Sequence, residues 1–351
     1  MTTINPFKEI ELIKNFAGGF LRHPAQVNNL LEADAEILTL NESSDEYLVL
    51  KADGIYEEIK ENLYTDPYMI GWVGVTAPLS DIAAVGGEPT GILLSIVLNH
   101  LSNDSWIKEL KRGINDACKA YHINVIGGDT NYGSDCSINS TAVGFIKKRK
   151  PILRIGMKPG DLLYTTSFLG LGNAYAYSQF FDSSLSINYQ PTAKLKEGWF
   201  ISEFASACMD TSDGLFPALA FLSDLNQTGF DLNIPLNSLL HKNAIRVQQK
   251  SNLPSWMFMA GPHGEYELLF SIPAEKNDSF KLKCGQTGWH PLYMGTVLSE
   301  IKLNFISEDL NISCNPSEIP NLFYSANKDI HTYFSLLQKQ HQNWSIAKKN
   351  V

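Results

Sequence analysis

The feature that most constrains the fold is a regular alternation of strand-like and helix-like segments along most of the 351-residue chain. Residues 90–98, TGILLSIVL, form a continuous apolar run that is typical of a buried strand. Residues 104–121 repeat apolar positions every three and four residues and predict an amphipathic helix. Residues 67–86 also have helical spacing, and the Gly86-Gly87 pair predicts the end of that helix. Such alternation predicts an α/β (α+β) fold.

The chain divides near residues 147–160, where a basic turn, two prolines and a Gly-Asp pair precede a new strand-like segment. With 44% hydrophobic residues, the chain is long enough for two domains. We predict an N-terminal domain over 1–150, a C-terminal α/β domain over 151–305, and an irregular tail over 306–351 with a helix at 327–340. The other predicted strands are 46–53, 161–166, 206–210, 229–234, 265–273 and 292–298, and the other predicted helices are 171–181, 193–205 and 213–226.

Composition excludes several classes of protein. The formal net charge of −9 argues against nucleic-acid binding, which depends on clustered Lys and Arg. No apolar run approaches the roughly 20 residues that span a bilayer, and the first residues do not resemble a signal peptide. The five cysteines are far apart and contain no CxxC pair, which is typical of reduced thiols. We therefore predict a cytoplasmic protein without a membrane or nucleic-acid partner.

Aspartates recur at the ends of strand-like segments and at loop-to-helix junctions. An isolated Asp before a helix is ordinarily an N-cap, and both Asp104 and Asp213 fit that interpretation. Six aspartates at comparable positions, with few counter-charges near them in the sequence, predict carboxylates that need cations between them. Mg²⁺ accepts one or two carboxylates together with water and phosphate oxygens. The candidate metal ligands are Asp34, Asp53, Asp81, Asp129, Asp210 and Asp213.

The stretch NVIGGDTNYG, residues 124–133, places two glycines before Asp129. Bare backbone followed by a carboxylate suits a phosphate with its Mg²⁺. For this tripeptide alone, a polar turn at the end of a strand is the simpler interpretation. The sequence contains neither a GxxxxGK[ST] motif nor the HRD and DFG motifs of protein kinases. A site for a nucleoside triphosphate must therefore have another design.

Five segments, in this order and spacing, closely resemble the thiamine-monophosphate kinase family: APLSDIAAVGGEPTG, VIGGDTN, LRIGMKPGDLLYTT, MDTSDGL and EYELLFSIP. That family is similar to aminoimidazole-ribonucleotide synthetase, selenophosphate synthetase and a hydrogenase maturation protein. The resemblance spans roughly residues 8–300. It implies a two-domain aminoimidazole-ribonucleotide synthetase-like fold and a homodimer whose N-terminal domains pair their sheets. It also implies an ATP site along that interface.

The resemblance assigns roles to individual residues. It implies that five aspartates (Asp53, Asp81, Asp129, Asp210 and Asp213) bind Mg²⁺, with Asp34 as a further candidate. It implies ATP contacts by Gly127, Gly128, Asp129, Arg154 and Ser212. Arg154 offers a fork of donors to phosphate oxygens. Transfer would be in line, with Asp213, Asp129 and Arg154 as the catalytic residues and no covalent intermediate.

The metal side of the family pattern departs at two positions. Where the family has Gly-Asp-Asp-Ala, this chain has EADAEI, so Ala33 replaces the first Asp and Asp34 is kept. Glu32 is a possible substitute for the missing carboxylate. Pro78 occupies the position of a usual asparagine. The other predicted metal ligands match the pattern.

The acceptor side departs further. The family histidine after Asp53 falls on Lys60 or its neighbours, and no histidine occurs there. In GPHGEYEL, Gly264 stands where the family has an acceptor-side Glu, and Glu265 replaces an Asp. The candidate acceptor contacts are His263, Glu265 and Tyr324, although a loop histidine between Pro and Gly is more often at the surface. Trp256 is another planar candidate, for which core packing is the default.

We therefore expect an ATP- and Mg²⁺-dependent phosphotransferase that acts on a small molecule, with thiamine monophosphate as the named candidate acceptor. The acceptor side differs while the metal side is mostly kept. This pattern favours an active phosphotransferase with another acceptor over a thiamine-phosphate kinase that has drifted or is losing activity. A synthetase that phosphorylates an amide or carbonyl oxygen is the main alternative. Two members of that group are disfavoured: the maturation protein normally ends in a cysteine, whereas this chain ends in KKNV, and selenophosphate synthetase needs an N-terminal Cys or selenocysteine, whereas no cysteine precedes Cys118. A nucleotide-binding protein without turnover is the third.

Overall fold

The structure is a computed structural model that describes residues 7–40, 46–147, 149–308 and 310–349. Residues 1–6, residues 41–45, Lys148 of the predicted basic turn, and residues 309, 350 and 351 of the predicted tail lie outside the described residues. The first part of the chain forms helices α1 (Lys8–Ala17), α2 (Tyr56–Lys60), α3 (Pro67–Ala84) and α4 (Asp104–Tyr121), and strands β1 (Glu36–Thr39), β2 (Glu46–Gly54), β3 (Glu88–Leu98), β4 (Asn124–Tyr132) and β5 (Ser137–Lys147).

The second part of the chain contains seven helices, seven strands and three short 3-10 turns among the described residues. The strands are β6 (Leu162–Thr165), β7 (Ala207–Asp210), β8 (Gly229–Pro235), β9 (Leu268–Ile272), β10 (Leu292–Leu298), β11 (Leu303–Ser307) and β12 (Leu310–Cys314). The helices are α5 (Leu171–Phe180), α6 (Leu195–Ile201), α7 (Leu215–Asn226), α8 (Lys242–Ser251), α9 (Asn277–Thr287), α10 (Glu318–Ser325) and α11 (Ile330–Lys349), and the turns are Leu236–Leu239, Ser255–Met259 and Ala274–Lys276.

The first sheet has five strands in the order β1-β2-β5-β3-β4. All neighbours are antiparallel except β3 and β4, which are parallel and joined by α4. Helix α3 is buried along most of its length, and it lies against α4 so closely that glycine is required at the contact. A Cβ atom at Gly71 would lie 2.3 Å from the Leu110 oxygen, and one at Gly113 would lie 2.0 Å from the Tyr68 oxygen. These two helices therefore fix the position of the residues at the end of α3.

Strand β4 forms one edge of the first sheet and is exposed along its whole length. Its apolar side chains Val125 and Ile126 are 43% and 56% exposed, and Leu93 on neighbouring β3 is 38% exposed. Edge strands with bare apolar side chains are uncommon in isolated domains, because they invite pairing with another chain. The fold thus leaves an apolar surface at the edge formed by β3 and β4.

The second sheet has seven strands in the order β12-β11-β8-β10-β6-β9-β7. Its neighbours are antiparallel except β8 and β11, which are parallel. Strand β7 is short and fully buried at the edge, and it ends at Asp210. Helix α7 follows Asp210 after four residues and packs into the main core through Phe216, Leu219 and Leu222. This arrangement brings the MDTSDGL segment to the junction of the two sheets.

The prediction that 306–351 is irregular before its final helix is wrong for the described residues, whereas the helix predicted at 327–340 corresponds to α11 (Ile330–Lys349). Strand β12 and the end of β11 complete the second sheet, and α10 and α11 follow. Leu303, Phe305 and Ser307 are buried in alternation with more exposed residues, and Tyr333 and Leu337 bury one face of α11. The many Asn and Ser residues lie between these apolar positions, so composition concealed a period-2 strand pattern.

Local corrections concern caps and boundaries. Asn103 caps α4 by accepting from the Trp106 N–H at 3.0 Å, so Asp104 is the first helical residue and not the cap. Gly214 precedes α7 and no side chain of the described residues caps this helix, so the carboxylate of Asp213 is not used as an N-cap. Strand β9 begins at Leu268, later than predicted, because Tyr266 has a φ of +63° that interrupts extended structure.

Among the described residues, no helix is long and apolar enough to cross a membrane.

Candidate active site

Three buried carboxylates from different parts of the chain converge at the junction of the two sheets. Asp34 lies in the loop before β1, Asp81 in the last turn of α3, and Asp210 at the end of β7. Each contributes an oxygen, and these oxygens lie within 4.8 Å of one another. Carboxylates at such distances repel unless protons or cations separate them. The structure thus brings together three of the six predicted metal ligands.

Two basic side chains reach this carboxylate cluster (Asp34, Asp81 and Asp210). Arg154 Nη2 lies 2.9 Å from Asp34 Oδ1, and Lys51 Nζ lies 3.2 Å from Asp81 Oδ1. The expectation that counter-charges are scarce around the aspartates is therefore wrong. Arg154 is distant in sequence from Asp34, whereas Lys51 lies two residues before Asp53 on the same strand. Residues i and i+2 of a strand share a face, so this spacing is the signal that identifies Lys51.

Burial and mutual repulsion shape the proton affinity of the cluster. Burial, reinforced by the neighbouring Asp34, raises the pKa of Asp210 to about 6. Burial also raises the pKa of Asp81 well above its usual range, and Lys51 opposes this shift. Burial favours the neutral form of Lys51, but the charges of Asp81 and Asp53 outweigh it and raise the pKa of the ammonium group. The cluster therefore has a high affinity for positive charge, either protons or a metal ion.

Several polar atoms of the carboxylate cluster and of the neighbouring Arg154 are buried without a hydrogen-bond partner among the described residues. They are Asp34 Oδ2, Asp210 Oδ2 and Arg154 Nε. Buried polar atoms of folded proteins are nearly always paired, so such atoms call for a ligand. Two free carboxylate oxygens suit Mg²⁺, and a free guanidinium N–H suits a phosphate oxygen. The residues present therefore fit a metal–phosphate group.

A cleft of about 510 Å³ opens over the cluster and contains five of the six predicted metal ligands. Asp53 and Asp213 line it together with the three clustered carboxylates. Arg154 and Ser212 also line it, and the Ser212 hydroxyl donates to Asp210 Oδ1 at 2.9 Å. Asp53 accepts from the Gly54 N–H at 2.8 Å, while Asp213 is exposed toward the cleft.

Asp129 is the predicted ligand that the structure places apart from the cluster. It lies on exposed β4 and accepts from Asn131 Nδ2 at 2.7 Å. A second cavity, of about 440 Å³, covers the face of the first sheet and contains Asp129 and Gly128. This sheet cavity and the cleft share the lining residues Ala52, Asp53 and Gly54. The two spaces therefore meet at Asp53.

The glycines of GGD have a structural requirement of their own. A Cβ atom at Gly128 would lie 1.9 Å from the Leu94 oxygen on β3, and one at Gly127 would lie 3.3 Å from a Leu93 methyl group. Close packing of β4 on β3 therefore excludes a side chain at Gly128. Gly128 also lines the sheet cavity, so its bare backbone is available to a ligand there.

A third cavity, of about 140 Å³, adjoins the cleft on the acceptor side. The two share Glu9, Glu58 and Asp213. The Tyr324 hydroxyl donates to Glu9 at 3.0 Å, and Lys328 forms an ion pair with Glu57 at 3.3 Å. Carboxylates and aromatic rings dominate this acceptor-side cavity, which is lined by Phe7, Glu9, Glu57, Glu58, Glu61, Asp213, Pro217, Ala260, Pro262, His263, Pro320, Phe323, Tyr324, Lys328 and Tyr333.

His263 lines the acceptor-side cavity. Its sequence neighbours, a proline and a glycine, had instead favoured a position at the surface. Its ring lies 6.1 Å from that of Phe180, and its Nε2 atom is buried without a partner among the described residues. Burial lowers the pKa of His263 to about 4, so the imidazole is neutral at physiological pH. A neutral ring nitrogen without a partner is suited to a hydrogen bond with a ligand.

Four further residues singled out in the sequence lie outside the acceptor-side cavity, and for Trp256 this agrees with the expected core packing. Glu265 is buried, and it accepts from the Gly172 N–H at 3.3 Å at the start of α5 instead of lining the cleft or the acceptor-side cavity. Trp256 is fully buried in the core and donates to His341 Nδ1 at 3.3 Å. The carboxylate of Glu32 accepts from the backbone and side-chain amides of Asn29, so it does not replace the missing Asp. Lys60 is exposed above the Tyr56 ring.

Comparisons with known proteins find relatives of this chain over most of its length. Residues 32–146 match the family "AIR synthase related protein, N-terminal domain". The chain is 29% identical over 290 residues to the thiamine-monophosphate kinase of Buchnera aphidicola subsp. Acyrthosiphon pisum, which covers 79% of this chain and 86% of the relative. It is 29% identical over 294 residues to the thiamine-monophosphate kinase of Methanospirillum hungatei, which covers 83% and 91%.

Two solved structures share the fold. AaThiL complexed with AMPPCP and TMP is 21% identical, with a TM-score of 0.66 over 85% of this chain and 92% of that chain. The hydrogenase maturation protein HypE of E. coli is 15% identical, with a TM-score of 0.64 over 88% and 96%. The motifs, the fold and the relatives agree: the chain has an AIR synthase-like fold and is similar over most of its length to thiamine-monophosphate kinases, which are ATP-dependent kinases.

Proposed function

We propose that this chain transfers the γ-phosphoryl group of Mg·ATP to a small phosphorylated acceptor, and that the acceptor is thiamine monophosphate. The observation that carries the proposal is the convergence of Asp34, Asp81 and Asp210, with Asp53 and Asp213 in the same cleft. The curated relatives are named thiamine-monophosphate kinases, and AaThiL was solved with AMPPCP and TMP. The assignment of this chemistry to the present chain is our inference from these findings.

The nucleotide would lie across the sheet cavity and the cleft. Asp53 lines both spaces, and Asp129 and Gly128 line the sheet cavity beyond it. Mg²⁺ would be held by the carboxylate cluster with Asp53 and Asp213, where it would neutralise charge on the phosphate oxygens. Arg154 has a free Nε–H for a phosphate oxygen. Transfer would depend on positioning and electrostatics, as in other phosphoryl transfers.

The acceptor would occupy the acceptor-side cavity. Glu9, Glu57, Glu58 and Glu61 give that cavity a negative charge, and aromatic rings, including that of Tyr324, form part of its wall. A positively charged aromatic ring is attracted by both features, and the thiazolium ring of thiamine carries such a charge. Because the cavity meets the cleft at Asp213, an acceptor bound there can present its phosphate to the nucleotide. This charge complementarity favours a thiamine phosphate although the family His and Glu are missing.

The active form would be a homodimer that pairs the exposed edges of two N-terminal sheets. Val125, Ile126 and Leu93 supply an apolar surface for this contact. The sheet cavity lies over the same strands and is open, so a second copy would cover it. Pairing would therefore enclose the nucleotide as well as the strand edge.

The proposal is tested by ADP release from the purified protein with Mg·ATP, in the presence and absence of thiamine monophosphate. We expect ADP formation that depends on the acceptor. ADP formed without any effect of thiamine monophosphate would favour a synthetase with another substrate. Tight ATP binding without ADP release would favour a protein that binds nucleotide without turnover, and either result would overturn the proposal.

A further inference from the structure

The ammonium group of Lys51 lies inside the carboxylate cluster, although Lys51 is not among the residues that the family resemblance assigns to the site. Its Nζ atom is 3.2 Å from Asp81 Oδ1 and 3.2 Å from the backbone oxygen of Asp34. It therefore connects the loop before β1 with the last turn of α3. Three sequence-distant segments meet at this point, because Lys51 itself belongs to β2.

The Lys51–Asp81 pair is largely enclosed by protein. The side chain of Lys51 is 24% exposed and that of Asp81 is 6% exposed. Charges act on one another more strongly in such an environment than in bulk water. The position of this ammonium group therefore influences any ion that enters the cluster.

The charges of the cluster are close to balance before a metal ion enters. Asp34, Asp81 and Asp210 supply three negative charges when ionised, while Lys51 and Arg154 supply two positive charges. Lys51 supplies one of the two positive charges that already lie among these carboxylates, so it opposes the entry of a bare divalent cation. The oxygens of a triphosphate that enters together with the cation would be attracted both to the metal and to Arg154, so the charges favour joint binding of metal and nucleotide.

We infer that Lys51 is a positioning residue that holds the cluster together before loading and weakens its affinity for a bare divalent cation. The metal then binds tightly only when a nucleotide accompanies it. The inference rests on the proposed function in one respect, since it takes Asp34, Asp81 and Asp210 as ligands of the metal in Mg·ATP. Binding of metal and nucleotide is reciprocally linked, so each raises the affinity for the other.

The test is a titration of the metal-free, full-length protein with Mn²⁺ as a probe for Mg²⁺, with free Mn²⁺ measured by electron paramagnetic resonance. Without nucleotide, we expect Lys51→Met to bind Mn²⁺ about ten-fold more tightly than the wild type, because an enclosed positive charge has been removed. Methionine keeps a long apolar side chain. Lys60→Met, at an exposed lysine of α2, is the matched control and should bind Mn²⁺ like the wild type.

A second readout is the thermal unfolding midpoint without nucleotide. Lys51→Met should unfold at a lower temperature than the wild type without metal, and Mg²⁺ should raise its midpoint by more than it raises that of the wild type. Lys51→Arg should retain wild-type behaviour, since it keeps the charge. Mn²⁺ affinity that is unchanged or weaker in Lys51→Met would overturn the inference.

The wild type alone provides an arm that does not depend on the folding of a variant. We expect the non-hydrolysable ATP analogue AMPPCP to raise the Mn²⁺ affinity of the protein at least about ten-fold, after correction for the Mn²⁺ that AMPPCP binds in a protein-free titration. Equally tight Mn²⁺ binding with and without AMPPCP would contradict the inference. None of these three measurements involves turnover. A failure of the inference is therefore distinguishable from a failure of the proposed kinase activity, which would appear as absent ADP release.

Discussion

Arg154 Nη2 lies 2.9 Å from Asp34 Oδ1 and joins two residues that are 120 positions apart in the chain. Asp34 precedes the first strand of the N-terminal sheet, and Arg154 lies in the connection to the second sheet. The backbone N–H of Arg154 also donates to the backbone carbonyl oxygen of Glu32 at 2.7 Å. This pair therefore fixes the carboxylate cluster to the junction of the two sheets, and it leaves the Arg154 Nε–H free for a ligand.

Arg154→Met should reduce both stability and activity. Loss of the guanidinium leaves Asp34 buried without its partner, which costs about 3–5 kcal/mol for pairs of this kind. Urea unfolding followed by circular dichroism measures the change in the free energy of unfolding. The double variant Arg154→Met/Asp34→Asn should recover most of the stability and none of the activity. Equal stability of the single variant and the wild type would show that the pair has no structural role.

Asp210→Asn should separate stability from catalysis. Burial and the nearby Asp34 raise the pKa of Asp210 to about 6, so its ionised form is disfavoured by the fold. A neutral amide should therefore leave the metal-free protein as stable as the wild type or slightly more stable. ADP release should fall at least about 100-fold, because a metal-ion contribution to transition-state charge is worth several kcal/mol. Near-normal turnover of this variant would show that Asp210 is not a metal ligand.

Glu265→Gln should change how stability depends on pH. Burial and the neighbouring Glu267 raise the pKa of Glu265 to about 8, above its unfolded value of 4.5. The folded protein therefore holds a proton that the unfolded chain releases, and wild-type stability should fall as pH rises from about 4.5 to 8. The variant cannot lose this proton. Its free energy of unfolding should exceed that of the wild type by an amount that grows with pH, to about 4 kcal/mol at pH 8.

Urea unfolding at a series of pH values measures this effect of Glu265→Gln. Glu275→Gln, at an exposed position outside the core, is the matched control and should run parallel to the wild type. Parallel curves for Glu265→Gln and the wild type would contradict the expected protonation.

Tyr324→Phe should affect the acceptor and not the nucleotide. The ring is kept, while the hydrogen bond from its hydroxyl to Glu9 is lost. We expect the KM for thiamine monophosphate to rise about three- to ten-fold, which corresponds to one hydrogen bond, while the KM for ATP stays unchanged. Steady-state kinetics with each substrate varied in turn measures both constants. An increase in the KM for ATP alone would place Tyr324 on the nucleotide side.

Ile126→Lys should weaken association of two copies. Ile126 is 56% exposed on edge strand β4, and a lysine there would oppose edge-to-edge pairing. We expect sedimentation velocity to show a dimer for the wild type and a larger monomer fraction for the variant, with weaker AMPPCP binding. A monomeric wild type would exclude the proposed pairing.

The sequence was informative where one periodicity dominated. Helix α4 begins and ends at the predicted residues, because its apolar positions repeat every three and four residues and one face contacts α3. Strands β11 and β12 were missed because their apolar residues are few and separated by Asn and Ser. Their burial depends on neighbours such as β8 that are distant in the chain, which a local pattern does not contain.

For the site, too, local motifs identified the residues, whereas their arrangement in space was not predictable from the sequence. The aspartates were identifiable from their motifs, and five of them line one cleft. The sequence did not indicate that Asp129 would lie apart on β4, because that separation depends on how the first sheet faces the junction. Nor did it indicate that Glu265 turns inward, since a positive φ at Tyr266 sets the direction of that loop.

In the proposed reaction, the cleft transfers phosphate from Mg·ATP to thiamine monophosphate. The most direct measurement is the chromatographic detection of thiamine diphosphate after incubation of the purified protein with Mg·ATP and thiamine monophosphate, with excess EDTA as the control. We predict one thiamine diphosphate for each ADP formed, and no product when EDTA removes the metal. ADP without thiamine diphosphate, or thiamine diphosphate that forms equally well in EDTA, would contradict this account.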